Sequence, residues 1–245
     1  MPNKGVMLVV GGSRGIGAAV VRAAAAQGYC IALTYLSRSD TAEALVDELK
    51  TSGGTARAFP VDTQDEASIL WLFKAVARMG PLTAMVYSSG ITGPASPLAD
   101  VSADTLREVI AVNLTGAMLC ARESVRRMSS AQGHGGGAIV FISSRAADRG
   151  SAGEYVWYAA SKGGVNSFAL GLAREVAREG VRVNCVSPGP VATDMLSPER
   201  QAQGAAAVAI GRVAEPEEIA SAVLYLCSDA ASYVTGANLA VAGGA

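Results

Sequence analysis

The sequence predicts an α/β fold, a doubly wound parallel β-sheet with helices on both faces, in a single domain spanning residues 1-245. Three observations predict it. Val6-Met7-Leu8-Val9-Val10 is a continuous apolar run of β-forming residues, as expected of a strand buried on both faces. A glycine-rich turn and a helical stretch follow it directly. From there to Tyr87, strand-like and helix-like segments alternate, the pattern of parallel strands joined by crossover helices. The composition agrees. Half of the 245 residues are apolar and 17% are charged, which suits a sheet covered on both sides with some surface hidden in an oligomer.

Gly11-Gly12-Ser13-Arg14-Gly15-Ile16-Gly17 links the first strand to a helix expected over Ala18 to Gln27. A strand, a glycine turn and a helix N-terminus aim backbone N–H groups and the positive end of a helix dipole at an anion, so this is a phosphate cradle. The strict G-x-G-x-x-G spacing is absent because Val20 stands at the last position, and no Gly-Lys-Ser/Thr ending makes it a P-loop. Cys30 to Tyr35 reads as the second strand. In nicotinamide enzymes an acid at its end binds the ribose 2′-hydroxyl, and an arginine accommodates a 2′-phosphate. Here Thr34, Tyr35, Leu36, Ser37 and Arg38 offer no acid, and Arg14 adds a second guanidinium, so NADP is expected over NAD.

Asp40 to Lys50 is an amphipathic helix with Leu45, Val46 and Leu49 on one face and Asp40 or Thr41 as its cap. Ala56 to Val61 is a third strand ending at Asp62-Thr63, and Ile69, Leu70, Phe73 and Val76 form the core stripe of the next helix. Leu82 to Tyr87 is a fourth strand closed by Ser88-Ser89-Gly90. Small residues at the ends of strands one and four suit a ligand crossing the crevice at the carboxyl edge of the sheet. Beyond a loop with Pro94 and Pro97, a long helical region carries Val109, Val112, Leu114 and Met118 around the polar Asn113. Ala138 to Ile142 is a strand running into Ser143-Ser144. A helix bearing Tyr158 follows, then a strand from Val181 to Val186 that stops at Ser187-Pro188-Gly189-Pro190. Glu215-Pro216-Glu217-Glu218 opens a helix with proline first and acids in its first turn, and Leu239 to Val241 is a short last strand. Pro94 to Leu98, Arg145 to Trp157 and Ala192 to Ala209 are expected as loops lining the substrate.

The formal net charge of -1 gives no nucleic-acid footprint and no basic membrane-binding face. Met1-Pro2-Asn3-Lys4 leads into an apolar run that glycines close well short of a signal or membrane-spanning segment, so a cytoplasmic protein is expected. Cys30, Cys120, Cys185 and Cys227 form no CxxC pair and read as reduced, buried thiols, with no metal site. His134, the only histidine, lies in a glycine-rich loop and leaves none for a Ser-His-Asp triad.

The chemistry centres on Tyr158-Ala159-Ala160-Ser161-Lys162. Residues four apart on a helix share a face, so the phenol and the ammonium stack. Moving a phenol from about 10 to about 7 requires roughly 4 kcal/mol. A cation at ~4 Å supplies about that much at an effective dielectric of ~20. Tyr158 is therefore the candidate acid/base and Lys162 its activating partner.

With Asn113-Leu114-Thr115-Gly116, Asn184, Val234-Thr235-Gly236 and the segments already quoted, the whole chain resembles a standard-length short-chain dehydrogenase/reductase. That resemblance implies a Rossmann-like single domain passing hydride between NAD(P) and a carbonyl or alcohol. It implies Tyr158 as acid/base, with Lys162 lowering its pKa and holding the nicotinamide ribose. Ser144, not Ser143, would bind the substrate oxygen, and Asn113 would hold a water in the proton relay to Lys162. Cofactor contacts would come from Gly11, Gly12, Ser13, Arg14, Gly15, Ile16, Gly17, Thr34, Ser37, Arg38, Asp62, Thr63, Ser88, Ser89, Gly90, Tyr158, Lys162, Pro188, Gly189, Val191 and Thr193, with Asp62 at the adenine. Three positions depart from the pattern: Val10 for a frequent Thr, Tyr87-Ser88 for an Asn-Asn pair, and Val241-Ala242 lacking a frequent Asp.

The layout is similar to that of 3-oxoacyl-[acyl-carrier-protein] reductases, which implies a small carbonyl or alcohol substrate, here an acyl thioester, and a homotetramer. Sugar, polyol and xenobiotic ketone reductases share it. A non-catalytic dinucleotide-binding sensor is the alternative of a different class. Its mark would be loss of Ser144, Tyr158 or Lys162, and all three are present.

Overall fold

The wholly apolar Val6–Val10, β1, has no polar face to turn to water, and every one of its residues is buried. It lies inside a sheet that also contains β2 (Cys30–Tyr35), β3 (Ala56–Pro60), β4 (Leu82–Tyr87), β5 (Gly137–Ile142), β6 (Val181–Pro188) and β7 (Asn238–Val241). The seven strands run parallel in the order β3-β2-β1-β4-β5-β6-β7. This computed structural model describes residues 4–194 and 196–245. Met1, Pro2 and Asn3, and Met195 in the expected substrate segment, lie outside the described residues.

Alternate side chains of the strands feed two cores, because successive residues of a strand point to opposite faces. On one face Met7, Val9, Ile31, Leu33 and Val86 pack with α1 (Gly15–Ala26), α2 (Ser39–Thr51) and α9 (Pro216–Cys227). On the other, Leu8, Val10, Met85, Tyr87 and Phe141 pack with α3 (Glu66–Val76), α5 (Gly116–Met128) and α7 (Val156–Val176). The strand order reverses between β1 and β4, which opens a crevice at their carboxyl ends.

Several boundaries differ from the sequence-based expectation. The first helix begins at Gly15, not Ala18, so two glycines of the turn are already helical. Neither Asp40 nor Thr41 caps α2; Arg38 occupies the cap position without a side-chain bond. The region around Asn113 is not one regular helix. It consists of α4 (Ala103–Ile110), a π-type turn (Ala111–Thr115) and α5. Strand β6 runs on through Ser187 to Pro188, which pairs with Val241. Proline is tolerated there because β5 pairs with β6 only as far as Val186, which leaves Pro188 at an edge on that side. Part of the expected loop from Arg145 to Trp157 is the short helix α6 (Ala146–Arg149), and part of that from Ala192 to Ala209 is α8 (Pro198–Ala207), capped by Ser197. Of the four free cysteines only Cys120 and Cys185 are fully buried, while Cys30 and Cys227 are half-buried. Asn184 on β6 spans to the approach of β7, donating to the Val234 carbonyl and accepting from Ala237 N–H. Among the described residues no helix is long and apolar enough to cross a membrane.

Candidate active site

The glycine turn is held from below. Gly11 N–H donates to the Thr34 hydroxyl at 3.0 Å and Gly12 N–H to the Thr34 carbonyl at 3.0 Å. Thr34 is buried, so its side chain supports the turn instead of facing the crevice. Gly11 and Gly15 take positive φ of 77° and 52°, a conformation that favours glycine. A methyl group at Gly11 would lie 2.7 Å from the Ser89 hydroxyl, and one at Gly17 would collide with the Gly11 carbonyl. The turn is thus drawn tightly against the end of β4. The start of α1 has no side-chain cap and no acid in its first turn, which leaves its N–H groups facing the crevice for an anion. These features fit a dinucleotide pyrophosphate.

The other expected cofactor residues surround this turn. Within the turn Ser13 is buried and Arg14 exposed, and Ser37 and Arg38 after β2 are exposed as well. The nearest carboxylate to Arg38 is Asp40 at 3.9 Å, an exposed pair that contributes little. Asp62 accepts from Gln64 N–H at 2.8 Å, and Thr63 is buried behind it. Ser88 N–H bonds the Val10 carbonyl, joining the ends of β4 and β1. The Pro188 carbonyl accepts from Arg145 N–H, and Gly189 N–H donates to Val241. Val191 is buried and forms a bridge to Ala214. Thr193 stands over the turn, 3.2 Å from where a Gly15 methyl would sit. The segment after β6 therefore closes over the glycine turn.

At the far end of the crevice, α7 carries Tyr158 and Lys162 on one face. The Ser144 side chain lies beside the Tyr158 hydroxyl and favours its ionised form. Ser144 also accepts from Ala146 N–H at 3.1 Å, and its neighbour Ser143 is buried with its hydroxyl on the Lys162 carbonyl. Of the two serines, Ser144 is the one beside the Tyr158 hydroxyl. The Lys162 ammonium donates to the Ile142 carbonyl at 2.7 Å and lies 5.7 Å from the centre of the Tyr158 ring. A methyl at Gly90 would sit 3.3 Å from Lys162 Nζ and 3.4 Å from Asn113 Oδ1, so the loop after β4 passes close to both side chains. Asn113 is wholly buried in the π-type turn. Its amide accepts from Ile91 N–H at 2.9 Å and donates to the Ile91 carbonyl at 2.9 Å and the Ser161 hydroxyl at 3.0 Å.

One electrostatic expectation is corrected. Burial pushes the Tyr158 phenol above its usual value, and the neighbouring Ser144 hydroxyl only partly opposes this. Burial also lowers Lys162 to about 8. Desolvation disfavours both charged forms, and the ammonium spends a hydrogen bond on Ile142 instead of the phenol oxygen. Tyr158 is thereby held as a protonated donor. Two contacts were not legible in the sequence. Ser161, inside the Tyr158 pentapeptide, supports Asn113, and Tyr87 bonds the π-type turn at Val112. At the mouth, the Trp157 indole donates to the Thr92 carbonyl, and Arg200 of α8 lies 5.0 Å over the Tyr155 ring while pairing with Glu154 at 2.9 Å.

Comparison with known proteins places this geometry in context. The profile of a family described as Enoyl-(Acyl carrier protein) reductase matches residues 10–245. The chain is 40% identical to the oxidoreductase YgfF of Escherichia coli (98% of this chain, 99% of that one). It is 39% identical to a cis-4-hydroxycyclohexanecarboxylate dehydrogenase of Sinomonas cyclohexanicum (98% and 95%). It is 33% identical to the 3-oxoacyl-[acyl-carrier-protein] reductase FabG of Staphylococcus aureus (97% and 96%). Among solved structures, a short-chain dehydrogenase/reductase of Serratia marcescens superposes with a TM-score of 0.92 at 34% identity (99% and 98%). A blue fluorescent protein from a metagenomic library, in complex with NADPH, superposes equally well at 36% identity, with the same coverage.

Proposed function

The chain is an enzyme of the short-chain dehydrogenase/reductase family, and from that premise we propose that it is an NADP(H)-dependent oxidoreductase interconverting a small ketone and its secondary alcohol. The observation that carries the reading is the meeting of Ser144, Tyr158 and Lys162 beside Gly90, at the same carboxyl edge of the sheet as the glycine turn. Gly11 to Gly17 hold the pyrophosphate, Asp62 the adenine, Arg14 and Arg38 the 2′-phosphate, and Pro188, Gly189, Val191 and Thr193 the carboxamide side. Bound NADPH supplies the hydride that reduces the carbonyl carbon. Tyr158 gives its proton to the carbonyl oxygen, and the Ser144 hydroxyl donates a second hydrogen bond to the same atom. The phenolate left behind is stabilised by the Lys162 charge one helical turn away. Asn113, fixed beside Lys162, supports the path by which the proton is replaced. In the oxidative direction the same groups run in reverse.

Two relatives suggest the substrate classes to try first: an alicyclic hydroxy acid, from the Sinomonas enzyme, and a 3-oxoacyl thioester, from FabG. The enzyme is proposed to be cytoplasmic and homotetrameric. A screen of NADPH and NADH oxidation over 4-oxocyclohexanecarboxylate, acetoacetyl-CoA, keto sugars and aryl ketones tests the reading. Turnover of at least one ketone with NADPH is expected. Binding of NADPH without turnover of any class would favour a sensor. Arg14→Ala combined with Arg38→Ala should cost tenfold to a hundredfold of the NADPH preference, about 1.5–3 kcal/mol for hydrogen bonds to a charged group. Equal use of both cofactors by the parent would remove the assignment of these arginines.

A further inference from the structure

Tyr87 is fully buried at the end of β4, and its hydroxyl donates to the Val112 carbonyl at 2.6 Å. The geometry of the π-type turn makes that carbonyl available. Gly116 N–H reaches back five residues to Ala111, which takes from Val112 the donor that a regular α-helix would provide. A buried carbonyl without a donor is costly, so the phenol completes the turn. The space is shaped for it. A methyl group at Gly116 would lie 2.7 Å from the Tyr87 hydroxyl and 2.7 Å from the Thr63 carbonyl. The Thr63 side chain closes the same space, its Cβ 3.0 Å from that methyl position. Burial pushes the phenol well above its usual range, so it stays a donor at any working pH.

Asn113 follows Val112 directly in the turn. Its amide bridges Ile91 and Ser161, placing it between the loop after β4 and the helix of Tyr158 and Lys162. We propose that Tyr87 is a positioning residue for the reaction. Its hydroxyl fixes the π-type turn and thereby holds Asn113 in register with Ser161 and the lysine helix. The inference rests on the reading of Asn113 as part of the site.

The test compares Tyr87→Phe, which removes one oxygen and keeps the ring, with Asn113→Ala and with the double variant. Turnover is measured with NADPH and the ketone the parent reduces in the screen, acetoacetyl-CoA being the first probe. Hydrogen exchange of the intact proteins is followed over residues 88–93 and 111–117. Tyr87→Phe should lower kcat about tenfold, the upper range for one hydrogen bond, with KM and NADPH affinity little changed. Exchange should quicken at Ile91 and across the π-type turn while the rest of α5 stays protected. In the Asn113→Ala background Tyr87→Phe should cost nothing more, because both changes act through one group. Parent-like kcat and exchange in Tyr87→Phe, or losses that multiply in the double variant, would overturn the inference. A silent Tyr87→Phe beside an inactive Asn113→Ala would overturn it alone. A fully active Asn113→Ala would overturn the site reading and this inference together. If no probe is turned over, unchanged exchange in Tyr87→Phe is by itself the refuting result.

Discussion

Two tyrosines stand three residues apart near Ser144, and their surroundings separate their roles. Tyr158 has Ser144 beside its hydroxyl and Lys162 one turn on, whereas Tyr155 makes a T-shaped contact with Trp157 and lies under Arg200. Tyr158→Phe should lower turnover by at least the ~10²–10⁴-fold of general acid/base catalysis and leave NADPH affinity near normal. Tyr155→Phe keeps both ring contacts and should shift KM by no more than a few-fold. Steady-state kinetics on the two variants decide this, and turnover by Tyr158→Phe within a few-fold of the parent would assign the acid elsewhere. Lys162 gives a second residue-scale expectation. Its value falls from the usual 10.5 to about 8 on burial. Between those two values the unfolded chain binds more protons than the folded one, so Lys162 makes folding more favourable as the pH rises through that window, by up to about 3 kcal/mol. Lys162→Met lacks this titration. Urea unfolding at pH 8 and pH 10 should show the parent gaining on the variant, and a gap that does not change with pH would refute it.

Strand β1 was legible because an unbroken apolar run has one stable place, the middle of a parallel sheet. The Tyr158–Lys162 face was legible because helix periodicity is a property of the local chain. What escaped the sequence depends on distant partners. The π-type turn at Asn113 is completed by Tyr87 from another element, and nothing in Ala111 to Thr115 announces it. Helix α8 was read as loop because none of its described side chains is buried, so it carries no apolar stripe to recognise. The phenol shift was misjudged because burial is not visible in a spacing of four. The turn from β1 into α1 is the element with the sharpest steric demand. Gly17→Ala places a methyl against the Gly11 carbonyl. Crowding of this kind costs roughly 1–3 kcal/mol, or about 2–4 °C of Tm per kcal/mol in a chain of this size. The variant should melt several degrees lower and lose NADPH affinity more than tenfold by fluorescence titration. A parent-like Kd would mean that the turn does not hold the phosphates.

For the whole molecule, α7 has more apolar surface than one sheet face can cover. Leu170 is 41% exposed and Met118 on α5 is 37% exposed. Methyl groups at Gly163 and Gly171 would meet nothing within 4 Å. A second copy of the chain is the proposed cover, so light scattering should give a tetramer that Leu170→Asp weakens without unfolding the subunit. A monomer of the parent at micromolar concentration would refute this. The sheet order has a consequence for synthesis as well. Strand β1 emerges first yet sits between β2 and β4, with Val10 paired to Tyr87. While the chain is being made, β1 can gain β2 early but keeps its other edge bare until β4 leaves the ribosome. That bare edge is wholly apolar on both faces, the kind that adds strands from other chains. A nascent chain stalled before Leu82 should therefore bind holding chaperones, and release should come only once β4 has closed the gap.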